Sequence, residues 1–135
     1  MQAIFIGIAS GLLTIFSVQL LKKFDKATVY AMILVGIGYL YVGFTWSDTG
    51  SLVICAAQAL VFMAIAYYGL WDMYILAAGF FLHGIWDMIV GLFPLSKLIP
   101  PHYDLFCMSI DFVMGAYLVI LAYRKSRTVN LNLVV

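Results

Sequence analysis

Polar residues along this chain gather at a few points and leave long apolar runs between them. Five runs reach the roughly 20 residues that a helix needs to cross a bilayer. They are Gln2 to Leu21, Thr28 to Trp46, Ser51 to Leu70, Asp72 to Phe93 and Tyr103 to Tyr123. A helix is the form such a run takes in lipid, because no water is present to pair a free backbone N–H or C=O and the helix pairs its own. The pattern predicts an all-α integral membrane bundle of about five transmembrane helices, one domain over residues 1–135. The link Gly69-Leu70-Trp71-Asp72 is so short that it predicts an antiparallel hairpin, with Gly69 ending one helix and Asp72 capping the next. All three prolines, Pro94, Pro100 and Pro101, fall between the fourth and fifth runs and break helical structure there. The first run lacks the positive leading region of a signal peptide and reads as a retained helix.

Composition agrees: 66% of the residues are hydrophobic and 10% are charged, with a mean hydropathy of +1.11, far from a soluble domain. A net charge of +1 offers no basic face to nucleic acid. The placement of the cations says more. Lys22, Lys23 and Lys26 sit in the first connection and Arg124, Lys125 and Arg127 follow the fifth run, so five spans bring both groups to one side. The other side holds Lys97. The excess of positive charge marks the cytoplasmic face, which predicts an outside N-terminus and a cytoplasmic C-terminus in a plasma or bacterial inner membrane. Trp46, Trp71, Tyr103 and Tyr123 stand at run ends, where amphipathic rings anchor in the headgroup layer. Gly7 and Gly11 form a GxxxG pair, and Gly36 and Gly43 a similar one. Small residues so spaced let helices approach closely, within the bundle or across a homodimer through Gly7 and Gly11. Cys55 and Cys107 show neither CxxC nor zinc-finger spacing. The word Gly-Leu-Trp-Asp-Met at 69–73 recurs as Gly-Ile-Trp-Asp-Met at 84–88, with no longer repeat around it.

The candidate chemistry lies in the last two runs. His83 and Asp87, four residues apart, share one helix face; Asp104, Cys107 and Asp111 make a stripe on the next helix. Asp87 precedes the proline-rich connection by about as many residues as Asp111 follows it, which puts both roughly 10 Å inward at 1.5 Å per residue. Gln58 reaches a comparable depth, Tyr39 and Tyr41 come from the outer half of the second helix, and His102 hangs from the connection above. The expectation is a polar pocket in the outer half of the bundle. His83, Asp87 and Asp111 are its catalytic candidates, and Gln58, Trp86, His102, Asp104, Cys107 and Tyr39 line or support it.

An Asp at the centre of a spanning helix costs about 2.5 to 3.5 kcal/mol, so such residues point inward and find partners. Four readings follow. Asp87 orients His83 for proton transfer to a lipid or isoprenoid-like small molecule, with Asp111 as a second acid. His83, Asp87 and Asp111 hold a divalent metal such as zinc or non-haem iron. The groups form part of a proton, ion or small-solute path. Or they are a structural hydrogen-bond network tying the helices together in a non-catalytic membrane subunit.

The stretches His83-Gly-Ile-Trp86-Asp87 and Cys107-Met-Ser-Ile-Asp111 resemble an uncharacterised family of small bacterial integral membrane proteins. The resemblance covers mainly the last two helices and implies that His83, Asp87, Cys107 and Asp111 matter, without naming a reaction. That family often carries a further histidine soon after the Trp-Asp pair, and residues 88–93 have none here.

Overall fold

A computed structural model describes residues 1–93 and 97–132, without the side chains of 128–132; Pro94 lies outside the described residues. Among the described residues the chain forms five α-helices and no strand. These are α1 (Gln2–Leu20), α2 (Lys26–Thr45), α3 (Thr49–Gly69), α4 (Met73–Val90) and α5 (Tyr103–Asn132). Each is long and apolar enough to cross a membrane.

Three of the helix starts are set by aspartates. Asp25 accepts from the Thr28 backbone N–H at 2.9 Å, Asp48 from that of Ser51 at 2.8 Å and Asp72 from that of Tyr74 at 2.8 Å. Each carboxylate satisfies an N–H that the first turn cannot pair. The backbone and hydroxyl of Thr28 hold the Asp25 carboxyl below its ordinary value. The side chain and backbone of Ser51 do the same for Asp48. These caps start α2 at Lys26 and α3 at Thr49, two residues earlier than the apolar runs suggest. At the other extreme α5 continues past Tyr123 to Asn132. The polar residues there extend a helix that hydropathy alone would end.

Around the bundle the order is α1, α5, α4, α3, α2. α5 packs between α1 and α4 and makes its most extensive contact with α4; α3 packs between α2 and α4. α1 barely touches α2, its neighbour in sequence. The α1–α5 seam depends on the GxxxG pair. A Cβ on Gly7 would lie 2.5 Å from the Phe106 carbonyl oxygen, and one on Gly11 would lie 3.2 Å from Val113. The close approach promised by Gly7 and Gly11 is therefore used inside the chain. Nothing lies within 4 Å of a Cβ on Gly36 or Gly43. The α3–α4 hairpin is tight at its link, where a Cβ on Gly69 would meet Leu76 at 2.9 Å.

Leu34, Leu76, Phe80, Met114 and Leu118 are all fully enclosed and fill the core on the side of the first connection and the C-terminal tail. The tail and that connection share an end of the bundle: the Lys125 charge reaches Asp25. At the same end the Gln19 amide bridges α5 and α2, donating to the Tyr117 hydroxyl and accepting from Lys26. The outer surface is the reverse of a soluble protein's. Phe5, Phe16, Met32, Val53 and Leu60 are each more than half exposed, an apolar belt fit for lipid rather than water.

Candidate functional site

Of the two Trp-Asp words, the first ends at the N-cap of α4 and the second lies in its last turns, and they do unrelated work. Asp72 is exposed and caps the helix, whereas Asp87 is fully buried within it. One helical turn before Asp87, His83 is equally buried, and Asp111 of α5 is 1% exposed. Three of the sequence candidates thus meet in one enclosed cluster. Gly84 makes room for the approach of α5: a Cβ there would lie 3.4 Å from that of Asp111 and 3.0 Å from the Phe112 ring.

Within the cluster both carboxyls aim at the same nitrogen. His83 Nδ1 lies 2.8 Å from Asp111 Oδ2 and 3.6 Å from Asp87 Oδ2. The good hydrogen bond is the one across helices, and the pair on one face of α4, expected to be the dyad, is the looser contact. A single ring N–H has one direction, and Asp111 occupies it. Asp87 is held instead from α2, where the Tyr41 hydroxyl donates to its Oδ1 at 2.5 Å. His83 Nε2 and Asp87 Oδ2 are buried without a hydrogen-bond partner among the described residues. Around the imidazole stand the Phe62 ring of α3, edge-on at 4.7 Å between centroids, and the Tyr41 ring at 5.9 Å.

Two carboxyls and one imidazole cannot all hold their solution charges in so dry a place. Two carboxylates against one imidazolium leave a net negative charge, and an isolated buried charge is costly. Neutrality requires an additional shared proton or a bound cation. The donor chemistry admits a cation, since one atom from each of His83, Asp87 and Asp111 lies within 4.8 Å of the others. One nitrogen and two carboxylate oxygens suit zinc or ferrous iron.

The other sequence candidates divide. Cys107 is buried one turn from Asp111, and Gln58 is buried on α3, where its amide can donate to the carbonyls of Cys55 and Gly38, both at 3.3 Å. Trp86 packs against the core and stacks on Phe93, and its indole N–H is buried without a partner among the described residues. Tyr39 is 44% exposed and lies outside the cluster; Tyr41, two residues on, supplies the contact. His102 and Asp104 line a separate cavity of about 110 Å³ in the connection, beneath Pro100 and Pro101. There His102 takes a φ of 63°, the left-handed region that residues other than glycine visit uncommonly. Tyr103, which the sequence marked only as an interfacial anchor, packs edge-on against Tyr41 and Phe44 and covers the cluster from the connection side.

The sequence matches the family DUF6010, described as a family of unknown function, over residues 1–124. No curated protein and no solved structure matches it. The chain belongs to the DUF6010 family.

Proposed function

We propose that this DUF6010 protein is a small multi-pass membrane enzyme that moves a proton on a lipophilic molecule, with His83 as the acid/base. The observation that carries the reading is the state of the imidazole. It is fully buried, one nitrogen is fixed by Asp111 and the other has no partner among the described residues. A carboxylate on one ring nitrogen sets the orientation of a histidine and raises the basicity of the other, which is the arrangement that general acid/base catalysis uses. Asp111 is the orienting residue and Asp87, held by Tyr41, is the second carboxyl, whose charge a shared proton or a cation must balance.

The polar residues would lie in the outer half of a plasma or inner membrane, with the N-terminus outside. The clustering of Lys22, Lys23, Lys26, Arg124, Lys125 and Arg127 at one end supports that orientation. A proton or ion path is disfavoured, because such a path needs polar groups on both sides of the cluster. The side toward the tail is filled by Leu34, Leu76, Phe80, Met114 and Leu118. A divalent metal on the three donors would serve the same charge balance, and elemental analysis of chelator-free protein measures it directly.

The test compares lipid extracts of cells making the wild-type protein, His83→Ala or Asp111→Asn by mass spectrometry. A species whose abundance follows the wild type and neither variant, while both variants unfold near the wild-type temperature, is the expected result. Identical extracts combined with markedly lower unfolding temperatures would instead make the cluster a structural network.

A further inference from the structure

The α3–α4 hairpin is closed at its link and less extensively packed than either α4–α5 or α2–α3. Where it opens, a groove of about 330 Å³ runs between the two helices. Its walls are apolar, formed by Val61, Ile65, Leu82, Ile85 and Ile89, and it also includes Gln58, Phe62 and Trp86. Val61, Leu82 and Ile85 belong to the exposed belt, so the groove opens sideways, toward where lipid chains would lie. Its inner wall is a short step from the cluster: Phe62, 5% exposed, lines the groove and sets its ring 4.7 Å from that of His83.

From this arrangement we infer that the α3–α4 groove binds a bilayer lipophile carrying a hydrogen-bond-accepting oxygen and delivers its polar end toward His83 past the Phe62 ring. The inference rests on the acid/base reading for what happens at His83, but not for binding in the groove. Two observations name the occupant. The groove is apolar along its length, which selects a hydrocarbon chain. Trp86, part of its wall, holds a buried indole N–H with no acceptor among the described residues, a donor-only group that a carbonyl, ester or hydroxyl oxygen reaching it would satisfy. An unmet buried donor in a native fold calls for a partner, and a hydrocarbon without oxygen cannot supply one.

The experiment uses the full chain in lipid nanodiscs with two photoreactive probes, a diazirine-bearing fatty acid and a diazirine-bearing alkane of the same length. After irradiation, labelled peptides are mapped by mass spectrometry. The fatty acid should label segments 58–65 and 82–89 in preference to the other lipid-facing segments. Filling the groove with Val61→Trp and Ile85→Trp should abolish that preference while leaving the unfolding temperature near wild type. Trp86→Phe should weaken fatty-acid labelling about fivefold or more, the effect of one lost hydrogen bond, and leave alkane labelling unchanged. Labelling spread evenly over all lipid-facing helices, or insensitive to the two tryptophans, would mean annular lipid only and overturn the proposal. His83→Ala separates the two ideas: retained groove labelling with no lipid turnover in any form of the protein leaves the groove standing and removes the chemistry.

Discussion

Asp87 holds a costly position. Its carboxyl is fully buried, Tyr41 is the donor to Oδ1, and Oδ2 has the imidazole only at 3.6 Å. Tyr41→Phe keeps the ring that packs on Tyr103 and His83 and removes the hydroxyl. It should lower stability by about 1–3 kcal/mol, the cost of leaving a buried acceptor without its partner. Unfolding in mixed micelles by denaturing detergent measures this. Tyr39→Phe, on an exposed side chain, serves as the control and should change little. The pair also shows where sequence reading stops. His83, Asp87 and Asp111 were legible because ionisable residues within apolar runs are rare and must point inward. Tyr41 and Tyr39 were not separable in that way. Two residues along a helix turn its face by about 200°, so one faces the bundle and the other faces away. α2 is apolar all round, without the polar stripe that would reveal which face is which. Trp86 poses the same difficulty, since its unpaired N–H is a property of its neighbours and not of the tryptophan.

Among the elements, α1 and α5 form the seam most sensitive to side-chain size. A Cβ on Gly7 would strike the backbone carbonyl of Phe106, which cannot rotate aside as a side chain would. Gly7→Leu should therefore destabilise the bundle by about 1–3 kcal/mol through overpacking, read as a lower unfolding temperature in detergent. Gly36→Leu, directed into open space beside the 410 Å³ groove between α2 and α3, should stay within about 0.5 kcal/mol of wild type. The glycine spacing itself announced a close approach, but not to which helix, because GxxxG encodes a flat surface and not its partner. The number of helices was equally open to inspection, since each apolar run is bounded by charge, proline or a glycine link. Their ends were less so. Hydropathy registers neither a cap, such as Asp25 or Asp48 drawing the helix start two residues earlier, nor a polar continuation such as the last turns of α5.

As a whole the molecule is a multi-pass bundle with one polar centre and two unlike ends. Both cation groups lie at the end where Gln19, Lys26 and Tyr117 join α1, α2 and α5, and Lys97 lies in the connection at the opposite end. If that cationic end faces the cytoplasm, a green fluorescent protein fused after residue 135 will fluoresce and an alkaline phosphatase fused there will be inactive. The reverse pair of results would invert the orientation and place the His83 cluster in the inner half of the membrane. The neighbour order α1, α5, α4, α3, α2 was hidden in the sequence, because short connections fix which helices are consecutive but leave the ring free to close in more than one way.

That order has a consequence for how the protein is made. Of the five helices α1 is made before the others, yet its seam is with α5, made after them, and it has little contact with α2. His83 likewise enters the bilayer a helix ahead of Asp111, its nearest partner. Until α5 arrives, a nascent chain holds an unclosed glycine face and a histidine without its closer carboxyl at once. Closure of the α1–α5 seam and formation of the His83–Asp111 hydrogen bond therefore both wait for α5.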